Sequence, residues 1–268
     1  MKLTTKITAC SFVIASSLLA VSCVKQTGKE VATEQTDFSN KAFVQVFNSS
    51  INTTARNYVY VDGNPVNGAS VAYAASFPAT STPAYFSVNS GIRAFLIRDT
   101  LVGSVQPPMS FAENFEVLKY YTIFMYDTST LVKQKTVINN IIIPADNTAR
   151  LRFANFAYSP VALPAAFDIF SVKRNANVFT NVSLTEVTDY IPYTAALTDS
   201  FYIRLTGTTT NLQNFVPSTT SPPGAFVNIL ATLNPTSKRS YTLIFRGGYR
   251  AITSTNGTVR TLSTFANN

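Results

Sequence analysis

Beyond Asn40 the apolar residues fall into short runs in which every second position is apolar, and no window sustains a stripe at the helical period of about 3.6 residues. In Phe201-Tyr202-Ile203-Arg204-Leu205-Thr206 the first, third and fifth residues face one way and the polar ones the other. Leu151-Arg152-Phe153 and Tyr241-Thr242-Leu243-Ile244-Phe245 alternate in the same manner. The runs are rich in β-branched and aromatic residues, and Pro, Gly, Asn and Ser separate them. Such strands have one buried and one wet face, as in antiparallel sheets, so the polar members, Arg152 among them, are expected in solvent.

The runs recur in order. Val44-Gln45-Val46-Phe47-Asn48 returns as Leu151-Arg152-Phe153-Ala154-Asn155, and Tyr58-Val59-Tyr60-Val61 as Phe167-Asp168-Ile169-Phe170. Phe95-Leu96-Ile97-Arg98 then parallels Tyr202-Ile203-Arg204, and Tyr121-Thr122-Ile123-Phe124 parallels Tyr241-Thr242-Leu243-Ile244. The last spacing is wider because the second copy carries a Thr-, Asn- and Pro-rich segment from Gly207 to Gly224. The turn-forming cluster Pro144-Ala145-Asp146-Asn147 marks the boundary. Asp62-Gly63 predicts a tight hairpin turn in the first copy. Asn256-Gly257 predicts one in the second, joining Arg250–Thr253 to Thr258–Thr261. The expected fold is all-β: two tandem immunoglobulin-like antiparallel β-sandwich domains, residues 41–145 and 146–268, each with about seven strands. A single large barrel is the alternative, which the internal duplication disfavours.

The start of the chain has a different character. Lys2 and Lys6 precede an apolar and small-residue stretch, Ile7 to Val21, shorter than the roughly 20 residues of a spanning helix. This reads as a signal peptide over residues 1–22. Its end, Leu19-Ala20-Val21-Ser22-Cys23, resembles a lipobox, with the leucine one place earlier than usual. The only other cysteine, Cys10, lies inside the leader, so the mature chain would begin on its single thiol. Acylation of Cys23 gives that thiol a use and implies a membrane-anchored lipoprotein of the cell envelope, expected at the outer membrane. Residues 23–40 are polar and aperiodic, as a flexible tether is.

The opening strand ending in Asn, followed by a Tyr-Val-Tyr-Val-Asp-Gly strand and turn, carries a family resemblance. Val44 to Ser50 with Tyr58 to Val66, and Leu151 to Pro160 with Ala166 to Val172, resemble the family of bacterial domains of unknown function numbered 4397. The resemblance spans roughly Lys41 to Phe265. It implies an envelope or secreted protein, often tandem and lipidated, and supplies no catalytic residues. The second copy has Val172-Lys173-Arg174-Asn175 where the first has its Asp-Gly turn.

Composition narrows the chemistry. The chain is 46% hydrophobic and 13% charged, with a formal net charge of +8, and its basic residues are dispersed rather than gathered into a stripe. A nucleic-acid partner is therefore not expected. There is no histidine, which removes the usual general base and the commonest transition-metal ligand. No cofactor motif or metal-binding run is found, so neither is expected. Two carboxylate pairs, Glu113 with Glu116 and Glu186 with Asp189, are the remaining catalytic candidates, read first as solvated charge because a spacing of three does not share a strand face. Tyr120, Tyr121 and Tyr126 in the aromatic run KYYTIFMYD are the candidate ligand-facing rings. Asp99-Thr100-Leu101 resembles a short bacterial O-glycosylation acceptor. The expectation is a non-enzymatic binding, adhesion or structural module with a glycan or envelope-protein partner, the Gly207–Gly224 segment being the leading contact loop. The alternative is a carbohydrate-active enzyme or a glycan-binding accessory protein, working through a carboxylate pair or exposed tyrosines.

Overall fold

Short alternating runs rich in Val, Ile, Phe and Tyr cannot bury a helical stripe, but they pack well on a pleated surface. In the computed structural model each of them is a strand. The described residues are 37–51, 56–66, 68, 70–78, 84–162, 166–218, 224–254 and 258–268, and no helix occurs among them. Cys23, the leader and nearly all of the tether lie outside the described residues.

The first half of the chain forms β1 (Lys41–Asn48), β2 (Asn57–Val61), β3 (Asn64–Pro65), β4 (Ser76–Phe77), β5 (Phe86–Asn89), β6 (Gly91–Asp99), β7 (Met109–Phe115), β8 (Tyr120–Tyr126) and β9 (Lys133–Asn139). The second half forms β10 (Ala149–Tyr158), β11 (Phe167–Ser171), β12 (Ala176–Val182), β13 (Ile191–Tyr193), β14 (Asp199–Leu205), β15 (Gln213–Val216), β16 (Ala225–Asn228), β17 (Leu230–Leu233), β18 (Ser240–Gly248) and β19 (Thr261–Ala266). One sheet of the first half runs β4-β1-β8-β9 with β5 also on β1, and the other runs β3-β2-β6-β7. In the second half the sheets are β13-β10-β18-β19 and β12-β11-β14-β17, with β15-β16 as a separate ribbon.

The pairing scheme is the same in both halves. Among the described strands every pairing is antiparallel except two, β1 with β8 and β10 with β18. These parallel pairs depart from the antiparallel expectation, and their registers correspond: Val44 lies opposite Tyr121, and Leu151 opposite Tyr241. Val59 pairs with Ile97 and Ile169 with Ile203. The sequence repeat aligns Val59 with Asp168, one residue off. The structure corrects this, because Val59 and Ile169 are the residues that point into the cores.

Local devices recur too. The Asn48 side-chain amide donates to the Val71 carbonyl, and that of Asn155 donates to the Val182 carbonyl. Both asparagines are fully buried, Asn48 as the last residue of β1 and Asn155 within β10. The Tyr121 hydroxyl accepts from the Glu116 backbone N–H at 2.8 Å, and the Tyr241 hydroxyl accepts from that of Thr236 at 3.0 Å. In each half a tyrosine on the central strand thus ties down the turn that precedes it.

Asp62 and Gly63 both have positive φ, 50° and 81°, as the mirror-image hairpin turn requires. In the second half, Arg250–Thr253 is not a strand, and Asn256-Gly257 lies outside the described residues. The closing strand β19 pairs with β18 instead. Gly247, at φ 91°, permits the close approach there: a Cβ would sit 2.4 Å from the Val259 carbonyl oxygen.

Each half has its own core between its two sheets. Val44, Val59, Ile97, Phe115 and Ile123 belong to the first, and Leu151, Phe167, Ile169, Ile203 and Phe245 to the second. A third cluster draws on both halves: Phe47 and Phe124 with Ala154, Phe156 and Ile244. The β1/β8 sheet and the β10/β18 sheet therefore meet face to face, and their parallel strand pairs are buried on both sides. Residues 38–268 form one compact unit.

Candidate functional site: a crevice at the seam

The seam is built by the faces that alternation assigns to solvent. Along it the side chains change character. At one end Phe124 stacks on Phe156 at 4.6 Å between ring centroids, Phe47 stacks on Phe265 at 4.7 Å, and Tyr126 lies against Phe156 at 5.4 Å. At the other end the facing residues are polar and Arg152 lies among them.

Arg152 is 1% exposed, so the expectation of a wet position is wrong. Alternation places it correctly opposite Leu151 and Phe153, but the face it occupies is covered by the first half. Its Nε donates to the Thr242 hydroxyl at 2.9 Å and its Nη2 to the Asn139 side-chain carbonyl at 2.8 Å. Asn139 in turn donates to the Thr122 hydroxyl at 2.9 Å and to the Tyr85 hydroxyl at 3.2 Å. Tyr85 donates to the Asn267 carbonyl at 2.5 Å, and Thr242 donates to the Asn267 side chain at 2.6 Å. One continuous polar network thus joins the two halves. The guanidinium also lies over the Tyr190 ring, 4.7 Å from its centroid.

Among the described residues no carboxylate is paired with this cation. The ion pairs among the described residues are Arg93 with Asp62 and Lys133 with Asp127, both elsewhere. Burial pushes the Arg152 pKa down, while Tyr190, Tyr85 and Asp189 pull the other way. Burial likewise pushes the Tyr85 hydroxyl above its usual value. Arginine keeps its charge in proteins, so the site holds a desolvated cation whose nearest acidic influence, Asp189, acts from beyond ion-pair distance.

Arg152 lines a crevice of about 330 Å³ that opens at this end of the seam. Glu116 and Lys119 come from the turn between β7 and β8, while Asp189 and Tyr190 come from the segment that leads into β13. Val137 and Val187 form its apolar walls. A second recess of about 350 Å³ lies beside Phe47, Arg246 and Phe265, but it is more open and has no comparably buried charge. A smaller one of about 180 Å³ lies beside Arg174 and Tyr193.

The structure disperses the three tyrosines singled out from sequence. Tyr121 is 3% exposed and belongs to the core of the first half, so it presents no ring to a ligand; its face-to-edge partner is Phe115 at 4.8 Å. Tyr126 is half-buried against Phe156 in the seam. Tyr120 is 37% exposed and stacks on Phe43 at 4.9 Å, with Tyr85 edge-on at 5.0 Å. They do not make one platform.

The carboxylates are also redistributed. Glu113 pairs across the sheet with Arg93, and Glu186 accepts from the Ser183 backbone N–H at 2.9 Å. Their partners in sequence, Glu116 and Asp189, line the seam crevice together. Among the described residues no group of three or more acidic or cysteine side chains is placed to hold a metal ion.

The Gly207–Gly224 segment supplies β15, which pairs with β16 after the chain returns, and residues 219–223 within it lie outside the described residues. Asp99 of the O-glycosylation-like tripeptide accepts from the backbone N–H groups of Arg56 and Leu101, and Thr100 is exposed. The signal that could have exposed the seam is the pairing of Phe47, Phe124 and Phe156 with polar residues on the same strand faces, since large aromatic side chains are rarely left in solvent in a row. The chain matches no family model and no curated protein.

Proposed function

We propose that this protein is a non-enzymatic lipoprotein of the cell envelope, tethered through Cys23, in which two immunoglobulin-like sandwiches act as one binding module. The leader, the single thiol left after its removal and the polar tether support anchoring. Matching strand pairing in residues 41–145 and 146–268 supports a tandem origin, as does the tyrosine that hooks the preceding turn in each half, a device of Greek-key sandwiches. The observation that carries the binding reading is the crevice at the seam, where a buried cation faces an open volume large enough for a small molecule.

Glu116 and Asp189 in one crevice favour a second reading, a glycoside hydrolase with that carboxylate pair. Both residues are exposed. Exposed side chains are not locked by packing into the fixed geometry that a catalytic pair needs, so binding is the preferred reading.

Two measurements test it. Metabolic labelling with a radioactive fatty acid should tag the protein, and Cys23→Ser should abolish the label and move the protein out of the membrane fraction. A Cys23→Ser chain that stays membrane-bound defeats the anchoring claim. Protease treatment of intact cells then decides the compartment: digestion places the module at the surface, and protection until the outer membrane is opened places it in the periplasm. Hydrolysis of a glycan that is lost in Glu116→Gln would replace binding by catalysis.

A further inference from the structure

Arg152 is held by Thr242 and Asn139 through Nε and Nη2, and neither partner carries charge. Among the described residues no acceptor is bonded to Nη1, and the guanidinium lines the crevice. A guanidinium that is 1% exposed, with only Nη1 uncommitted, can donate a charge-assisted hydrogen bond to one oxygen of an anion.

The rest of the lining limits which anion. Arg152 and Lys119 are balanced by Glu116 and Asp189, so the crevice as a whole is neutral. A dianion such as phosphate would be drawn to the two cations and repelled by the two carboxylates. A monoanion that also carries hydroxyl groups meets half of that repulsion: its charge goes to Arg152, and its hydroxyls donate to Glu116 and Asp189. Asn140 and Thr188 supply neutral polar contacts, and Val137 and Val187 offer apolar surface to the C–H face of a ring. The volume of about 330 Å³ is at the small end of ligand pockets, about 300–1,000 Å³, which suits a single ring.

We propose that the seam crevice binds a hexuronate, a sugar ring with one carboxylate, and that Arg152 receives the carboxylate. This rests on the binding-module reading and names its ligand class. Asn139 and Thr242 are positioning residues: they fix the guanidinium and belong to opposite halves, so the site exists only when the seam is closed.

The test is titration calorimetry on the full mature chain with D-glucuronate, D-glucose and inorganic phosphate. D-glucuronate should bind saturably. D-glucose, which lacks the carboxylate, should bind about tenfold more weakly or worse, as should D-glucuronate to Arg152→Met, because a charge-assisted hydrogen bond is lost. Asp189→Asn and Glu116→Gln, both at exposed positions, should each weaken D-glucuronate binding severalfold without changing the circular dichroism spectrum. The proposal is overturned if D-glucuronate does not bind, if D-glucose or phosphate binds as tightly, or if a folded Arg152→Met binds as the natural chain does. Should Arg152→Met fail to fold, unchanged affinity in Asp189→Asn and Glu116→Gln overturns it. A chain that is lipidated but does not bind loses only this inference, and one that binds without being lipidated loses only the anchoring claim.

Discussion

Phe156→Ala is the perturbation that asks most directly whether the two halves share a core. Phe156 lies on β10, is 1% exposed, and stacks on Phe124 of the other half at 4.6 Å. Truncating a buried phenylalanine typically costs about 3–5 kcal/mol, from lost transfer energy and the cavity left behind. Phe153, three residues earlier, is equally buried but belongs to the core of the second half alone, so Phe153→Ala is the internal control. Urea unfolding followed by far-ultraviolet circular dichroism gives both losses on one scale. A double-mutant cycle of Phe156→Ala with Phe124→Ala then isolates the contact across the seam, where an aromatic pair contributes roughly 0.5–1.5 kcal/mol beyond its buried area. A cost near that of an ordinary surface change, within about 0.5 kcal/mol, would refute the shared core. So would a coupling energy of zero, because two rings stacked at this distance cannot be energetically independent.

The remaining predictions concern the devices that recur in the two halves and one buried cluster. Tyr121→Phe and Tyr241→Phe each remove one hydrogen bond to a turn N–H and should each cost about 0.5–1.5 kcal/mol in urea unfolding, with the double variant additive; no loss in either would mean that the turns hold without their tyrosines. Asp199 accepts from Ser171, Tyr193 and the backbone N–H groups of Lys173 and Ser200. Burial alone would raise its pKa, but these four hydrogen bonds together hold it below the ordinary value of 3.8. Its stabilising effect is therefore present above that value and fades as pH falls through the lower, folded one, so Asp199→Asn should flatten the acid limb of a pH–stability curve. At the alkaline side burial, with Asp199 beside it, pushes Tyr193 up from 10.0 to about 12. Stability should then decline as pH rises between these values, and Tyr193→Phe should shrink that decline; an unchanged limb would remove Tyr193 from the account.

Period-two alternation made the strands legible, and it did so because each sandwich core takes one face of each strand. Val44, Val46, Leu151, Phe153, Phe201 and Ile203 all point inward as their spacing requires. What alternation cannot reveal is what covers the opposite face. Arg152 lies on the outer face of β10 by parity, yet it is buried because a second sheet lies on that face, and sheet-on-sheet packing is a long-range contact with no local signature. The parallel pairing of β1 with β8 was hidden for the same reason: strand direction depends on the connections, not on the composition of the strand. Tyr121 shows the opposite failure. It was singled out for its place in an aromatic run, but its neighbour Tyr120 takes the exposed side and Tyr121 serves the core and its turn. Glu116 and Asp189 were each paired with a neighbour in sequence, whereas the fold pairs them with one another across the seam.

The central claim, that the ligand site is the Arg152 crevice at the seam, is tested most directly by hydrogen–deuterium exchange of the mature chain with and without D-glucuronate. Protection is predicted in the backbone of 116–119, 137–140 and 187–190, with no change in the β15–β16 ribbon. Protection confined to that ribbon, or absent from the seam segments while D-glucuronate is bound, would contradict it.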